Sequence, residues 1–194
     1  MVHAIREQMQ DEAVQSSIAD DLVNPASGIA NDYLNLFNEI VMLIEQLPTM
    51  PELIDDIKAW KPTSYEDYFV NSPLPGRESA LEAYQKLDAA FRREFEQVVA
   101  ELDQQATGIV ATIRLHMRAK GDSDLEGLEA ICTRGGGALR DTLERAVAIV
   151  NEGLQGIQRY HRAKRARLEK IRQQSMKDVE EFYNKPIWRR DEDE

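Results

Sequence analysis

The sequence has little of what usually carries chemistry. Among 194 residues there are three histidines and one cysteine. A lone Cys132 excludes an intrachain disulfide and points to a reducing compartment. His3, His116 and His161 form no His-Glu-x-x-His or Glu-x-x-His, and no paired cysteine motif occurs. Zinc and di-iron bundle signatures are therefore missing, and neither a metal nor a cofactor is expected. There is no Walker A loop and no Gly-x-Ser-x-Gly elbow. Gly135–Gly136–Gly137 lacks the third glycine of a dinucleotide fingerprint, because Arg140 stands there. No apolar run reaches the ~20 residues of a membrane span; the best, Ile40–Leu47, is interrupted by Glu45. The opening MVHAIREQMQDEAVQ is polar and lacks the apolar block of a secretory signal. A cytoplasmic chain is the expectation.

Positive charge is also in deficit. Lys and Arg number 24 against 35 Asp and Glu, a net charge of -11. Most of such a surface repels a polyanion, so nucleic acid and membrane headgroups are not the expected partners. Strand-like alternation of useful length is absent too, which leaves the helical period as the dominant pattern.

That pattern is strong. Leu139, Leu143, Val147, Val150, Leu154 and Ile157 recur at steps of three and four, and Leu168, Ile171, Val179 and Phe182 resume the stripe. No proline interrupts Ala138–Asn184, so this stretch predicts one helix of roughly 70 Å at ~1.5 Å per residue. A second long helix is predicted over Ser79–Lys120, with Tyr84, Leu87, Phe91, Phe95, Val98, Leu102, Ile109 and Ile113 on its stripe. Shorter helices are predicted over Ser27–Leu47, Met50–Phe69 and Ser123–Thr133. Thr49/Glu52, Ser79/Glu82 and Ser123/Glu126 have capping-box spacing, and Ser64/Asp67 suits a further cap. The glycine triplet reads as a hinge or tight corner between helices.

The expected fold is all-α: an elongated antiparallel hairpin of two long helices with shorter N-terminal helices packed on it. Met1–Ala26 reads as a flexible or weakly helical arm, residues 27–185 as the helical domain, and Pro186–Glu194 as an acidic tail. A long helix exposing more stripe than its partner covers points to a protein partner, a second copy included.

The sharpest local anomaly is charge. Arg159, Arg162, Lys164, Arg165, Arg167, Lys170 and Arg172 stand against Glu169 alone, a net of +6, which leaves -17 for the remainder. His161 and Lys164 fall where the apolar stripe lapses. This band either pairs with acids of the facing helix, such as Glu94, Glu96, Glu101 and Asp103, or binds an acidic partner, nucleic acid or membrane headgroups. The run Asp122–Gly127 has the first ligand spacing of a calcium loop, but Thr133 stands where the bidentate glutamate belongs; a helix cap explains the same residues.

The segment Leu115–Cys132, LHMRAKGDSDLEGLEAIC, resembles the phosphoacceptor region of histidine phosphotransfer domains. In those a helix histidine is followed by lysine and glycine; here Lys120 and Gly121 follow His116 one residue later than that pattern. The resemblance covers under a tenth of the chain. It implies a phosphoacceptor His116 in a signalling protein. Without it, the absence of any catalytic constellation makes a non-enzymatic adaptor or scaffold the expectation.

Overall fold

The first described segment is not the helix that its apolar content suggests. In the computed structural model, which describes residues 22–184, β1 (Val23–Asn24) and β2 (Ile29–Ala30) pair antiparallel around a tight turn. Most of the expected N-terminal arm, and the acidic tail Pro186–Glu194, lie outside the described residues. The helix expected from Ser27 is displaced because local polar groups favour the turn. Asn24 Oδ1 accepts from Ala26 N (3.0 Å), Ser27 Oγ accepts from Ile29 N (3.1 Å), and Gly28 takes a left-handed φ of 74°. A 3-10 turn, Asn31–Leu34, then leads into α1 (Asn35–Gln46).

The Met50–Phe69 stretch is likewise divided. Thr49 caps nothing ahead of it, because its hydroxyl donates back to the Gln46 carbonyl at 3.0 Å. A 3-10 turn (Pro51–Leu53) and α2 (Ile54–Ala59) follow, then α3 (Tyr65–Val70). Ser64 does cap α3, accepting from Asp67 N at 3.1 Å.

The predicted Ser79–Lys120 helix is two helices, α4 (Arg77–Gln85) and α5 (Ala89–Lys120). Asp88 makes the break: its Oδ1 accepts from Ala90 N (2.9 Å) and Phe91 N (3.0 Å), satisfying two orphan donors of α5. Ser79 sits inside α4, which starts behind Gly76. A 3-10 turn, Gly121–Ser123, links α5 to α6 (Leu125–Glu152). The cap of α6 is Asp124, not Ser123; its Oδ1 accepts from Gly127 N at 2.9 Å. That bond accounts for the calcium-like spacing.

The largest correction concerns the glycines. Gly135–Gly137 lie inside α6 and break nothing. The break comes at Gly153, with φ 58° and ψ -129°, a conformation open to glycine and strained for other residues. The single helix expected over Ala138–Asn184 is thus the end of α6 followed by α7 (Leu154–Asn184).

The chain divides into two units, Met1–Ile157 and Gln158–Glu194. Within the first, α5 and α6 lie side by side and run in opposite directions. Arg145 reaches Glu101 (3.5 Å), Gly135 abuts Ile109, and His116 reaches the Asp124 carbonyl (3.0 Å). The α1 helix packs on α6 as well, where Arg140 forms a bidentate pair with Glu45. The core comprises Phe37, Ile40 and Ile44 of α1, Phe95, Leu102 and Ile113 of α5, and Leu139, Ala146 and Ile149 of α6. Each fully buried large side chain contributes roughly 1.5–3 kcal/mol.

Tyr33 anchors an aromatic cluster above this core. Its ring meets Tyr65 (5.2 Å), Tyr68 (5.7 Å), Phe37 (5.9 Å) and Phe95 (6.2 Å), mostly edge to face. Among the described residues no helix is long and apolar enough to cross a membrane.

Candidate functional site

The basic band lies on α7. Arg159, Arg162, Lys164, Arg165, Arg167, Lys170 and Arg172 are all exposed. The helix needs no break there, since Arg, Lys, Ala and Leu are all good helix formers. The lapse of the stripe at Lys164 has a local cause: the ammonium sits 5.5 Å from the centre of the Tyr160 ring and donates to its hydroxyl at 3.4 Å. No ion pair among the described residues engages Arg162, Arg165, Arg167, Lys170 or Arg172. On α5, Glu101 pairs with Arg145, and Glu96 accepts from the Tyr84 hydroxyl (3.1 Å) and lies 3.7 Å from Arg92.

Beyond the band, the apolar stripe is presented to solvent. Leu168, Ile171, Val179 and Phe182 are 54–59% exposed, and Met176 and Tyr183 beside them more so. In contrast, Ile157 and Tyr160 are buried. These residues repeat at intervals of 11: Ile157, Leu168, Val179 and Tyr160, Ile171, Phe182. An 11-residue period is close to the pitch of a straight α-helix, so the stripe stays on one side along α7. Gln173–Glu169 (3.3 Å), Gln174–Asp178 (2.7 Å) and Lys177–Glu181 (3.9 Å) contacts support the helix along its polar sides.

His116 is elsewhere. It sits near the end of α5, half-buried, with Nε2 3.0 Å from the Asp124 carbonyl oxygen. The Nε2–H tautomer donates this bond and ties the end of α5 to the start of α6. Lys120 is exposed on the last turn of α5, and Gly121 has a φ of 55°. His116 belongs to the first unit and the basic band to the second. Cys132 is buried in α6, and burial pushes its thiol up to about 11, away from nucleophilic use.

One feature escaped sequence reasoning. A cavity of about 440 Å³ is lined by Tyr33, Tyr65, Tyr84, Phe95, Arg92 and Asp103, among others. The Tyr65 hydroxyl accepts from Ala30 N at 3.0 Å, and burial raises the Tyr65 phenol to about 12. Asp103 Oδ1 is buried without a hydrogen-bond partner among the described residues, and desolvation raises its carboxyl to about 6. Asp103 falls next to the apolar stripe position Leu102; that placement was its one sequence signal. No protein-family model, curated protein or solved structure matches this chain.

Proposed function

We propose that the protein is a cytoplasmic, non-enzymatic helical interaction protein of adaptor or scaffold type. The antiparallel α5–α6 pair serves as its scaffold and the apolar side of α7 as its working surface. The observation that carries this reading is the stripe Leu168, Ile171, Val179 and Phe182, each more than half exposed on a continuous helix. Apolar side chains at helical spacing gain stability only when covered, and a contiguous exposed patch of this kind marks an interaction site. Recognition by such a face follows the helix-packing mode, with anchors three and four residues apart. The flanking arginines and lysines supply a charge that selects acidic partners and repels basic ones.

The test is the mass of the native assembly, measured for the wild-type chain and for Ile171→Glu/Val179→Glu. The reading expects an assembly larger than one chain that dissociates in the variant, with residues 22–157 still folded because both substitutions lie outside that unit. Identical masses for the two chains would contradict it.

A further inference from the structure

The exposed stripe of α7 has a symmetry that its occupant must match. Its positions are Leu168, Ile171, Ser175, Val179 and Phe182. Relative to Ser175 they fall at -7, -4, 0, +4 and +7. A two-fold axis through Ser175 therefore sets Leu168 opposite a second Phe182 and Ile171 opposite a second Val179. The small serine meets its own copy, where two helices approach most closely. Such an isologous contact uses one patch on both chains and closes on itself.

Charge fixes the direction. Residues 159–172 carry a net +6, whereas residues 173–184 hold Lys177 against Asp178, Glu180 and Glu181, a net of -2. Parallel pairing would stack two basic bands. Antiparallel pairing sets each basic segment towards the other copy's acidic one. At the residue level Arg172 and Glu180 fall on one edge of the seam and Arg167 and Glu181 on the other, so the same axis sets each arginine beside the other copy's glutamate on its own edge. Opposite charges along the edges of an apolar seam specify partner and orientation. The 11-residue spacing keeps the seam on one side with little supercoil.

We infer that the partner of α7 is α7 of a second copy of this chain, packed antiparallel about Ser175. This rests on the reading of α7 as the interaction surface and names what covers it. Ser175→Cys then links to itself under mild oxidation, while Leu168→Cys alone does not and Leu168→Cys mixed with Phe182→Cys does. Cys132 is buried and stays out of this chemistry.

The experiment combines light scattering on the full chain with these cross-links. The expected result is twice 22.1 kDa for the wild type and one chain for Ile171→Glu/Val179→Glu. Arg167→Glu weakens the dimer at least several-fold, and Arg167→Glu/Glu181→Arg restores it. Self-linking of Leu168→Cys overturns the antiparallel pairing. A monomer, or a foreign polypeptide or phosphatidylserine vesicle bound through the same residues, overturns self-pairing. Of these, the foreign polypeptide leaves the interaction reading standing. A dimer that survives Ile171→Glu/Val179→Glu overturns both.

Discussion

Gly135 of α6 lies directly against Ile109 of α5. A β-carbon added to Gly135 would come within 2.9 Å of Ile109 Cγ1 and 3.0 Å of Cγ2. Those atoms branch from the Ile109 β-carbon, whose χ1 is restricted in a helix, so they give way only at a rotamer cost. Gly137, two residues on, has nothing within 4 Å of the same construction. Two glycines of one triplet therefore differ in what they do: the first allows helices to approach, while the other only lowers helix propensity.

Gly137→Ala is expected to stabilise the fold by roughly 0.5–1 kcal/mol, through propensity alone. Gly135→Ala is expected to destabilise it by about 1 kcal/mol or more, as overpacking outweighs the same gain. Urea denaturation of both variants reads the opposite signs. Stabilisation by both would show that α5 and α6 are not in close contact at this point.

The break that ends α6 depends on Gly153 and Gly156. A side chain at Gly153 would strike the Ala26 carbonyl, and one at Gly156 the Ala148 carbonyl. Gly153 also carries a φ of 58°. Gly153→Ala should cost about 2 kcal/mol or more, since strain and clash add. Asn151 holds the same region, accepting from Asn24 Nδ2 (3.0 Å) and Asn31 Nδ2 (3.1 Å). A thermal melt of Gly153→Ala within error of the wild type would refute this role of Gly153.

Asp103 gives the fold a pH dependence of known sign. Its folded pKa, about 6, lies above the ordinary carboxyl value of 3.8 because burial disfavours the charged form. The folded state therefore holds the proton more tightly, and the stability linked to it is lost as pH rises through about 6. Asp103→Asn should be more stable than wild type near neutral pH, by roughly 1 kcal/mol once solvent screening is allowed for. The difference should vanish below about pH 4, where the wild-type carboxyl is protonated in both states. Urea midpoints at the two pH values check this; an equal difference at both would exclude the titration of Asp103 as the cause.

For His116, the bond to the Asp124 carbonyl predicts a structural cost. His116→Ala should lose up to about 1 kcal/mol, as expected for one net hydrogen bond. The non-enzymatic reading also expects no phosphate on this residue. Labelling of the wild-type chain by a phosphohistidine donor, lost in His116→Gln, would contradict that reading.

Helical content and most core positions were legible in the sequence, because periodicity records burial directly. Phe37, Ile40 and Ile44 on α1, and Phe95, Val98 and Leu102 on α5, are buried as their spacing implies. Element boundaries were not. Asp88 is a strong cap, yet it stands between apolar Leu87 and Ala89 in a stripe that runs on regardless. Glycine identity alone did not separate Gly135, which a helix accommodates for close packing, from Gly153, which ends one through a positive φ. The basic band was visible as charge. What its surroundings leave exposed was not, because Leu168 and Leu139 look alike in sequence, although one is 59% exposed and the other fully buried. The Asp103 cavity is formed by Tyr33, Tyr65, Tyr84 and Phe95 from four separate segments, so no local pattern announced it.

If α7 is the working surface proposed above, its apolar side is covered when the protein works. Amide hydrogen exchange, compared between wild type and Ile171→Glu/Val179→Glu, tests it most directly. Covered, the amides from Leu168 to Phe182 exchange markedly more slowly in the wild type, while those of α5 and α6 are the same in both. Equal exchange along α7 in the two chains would contradict the account.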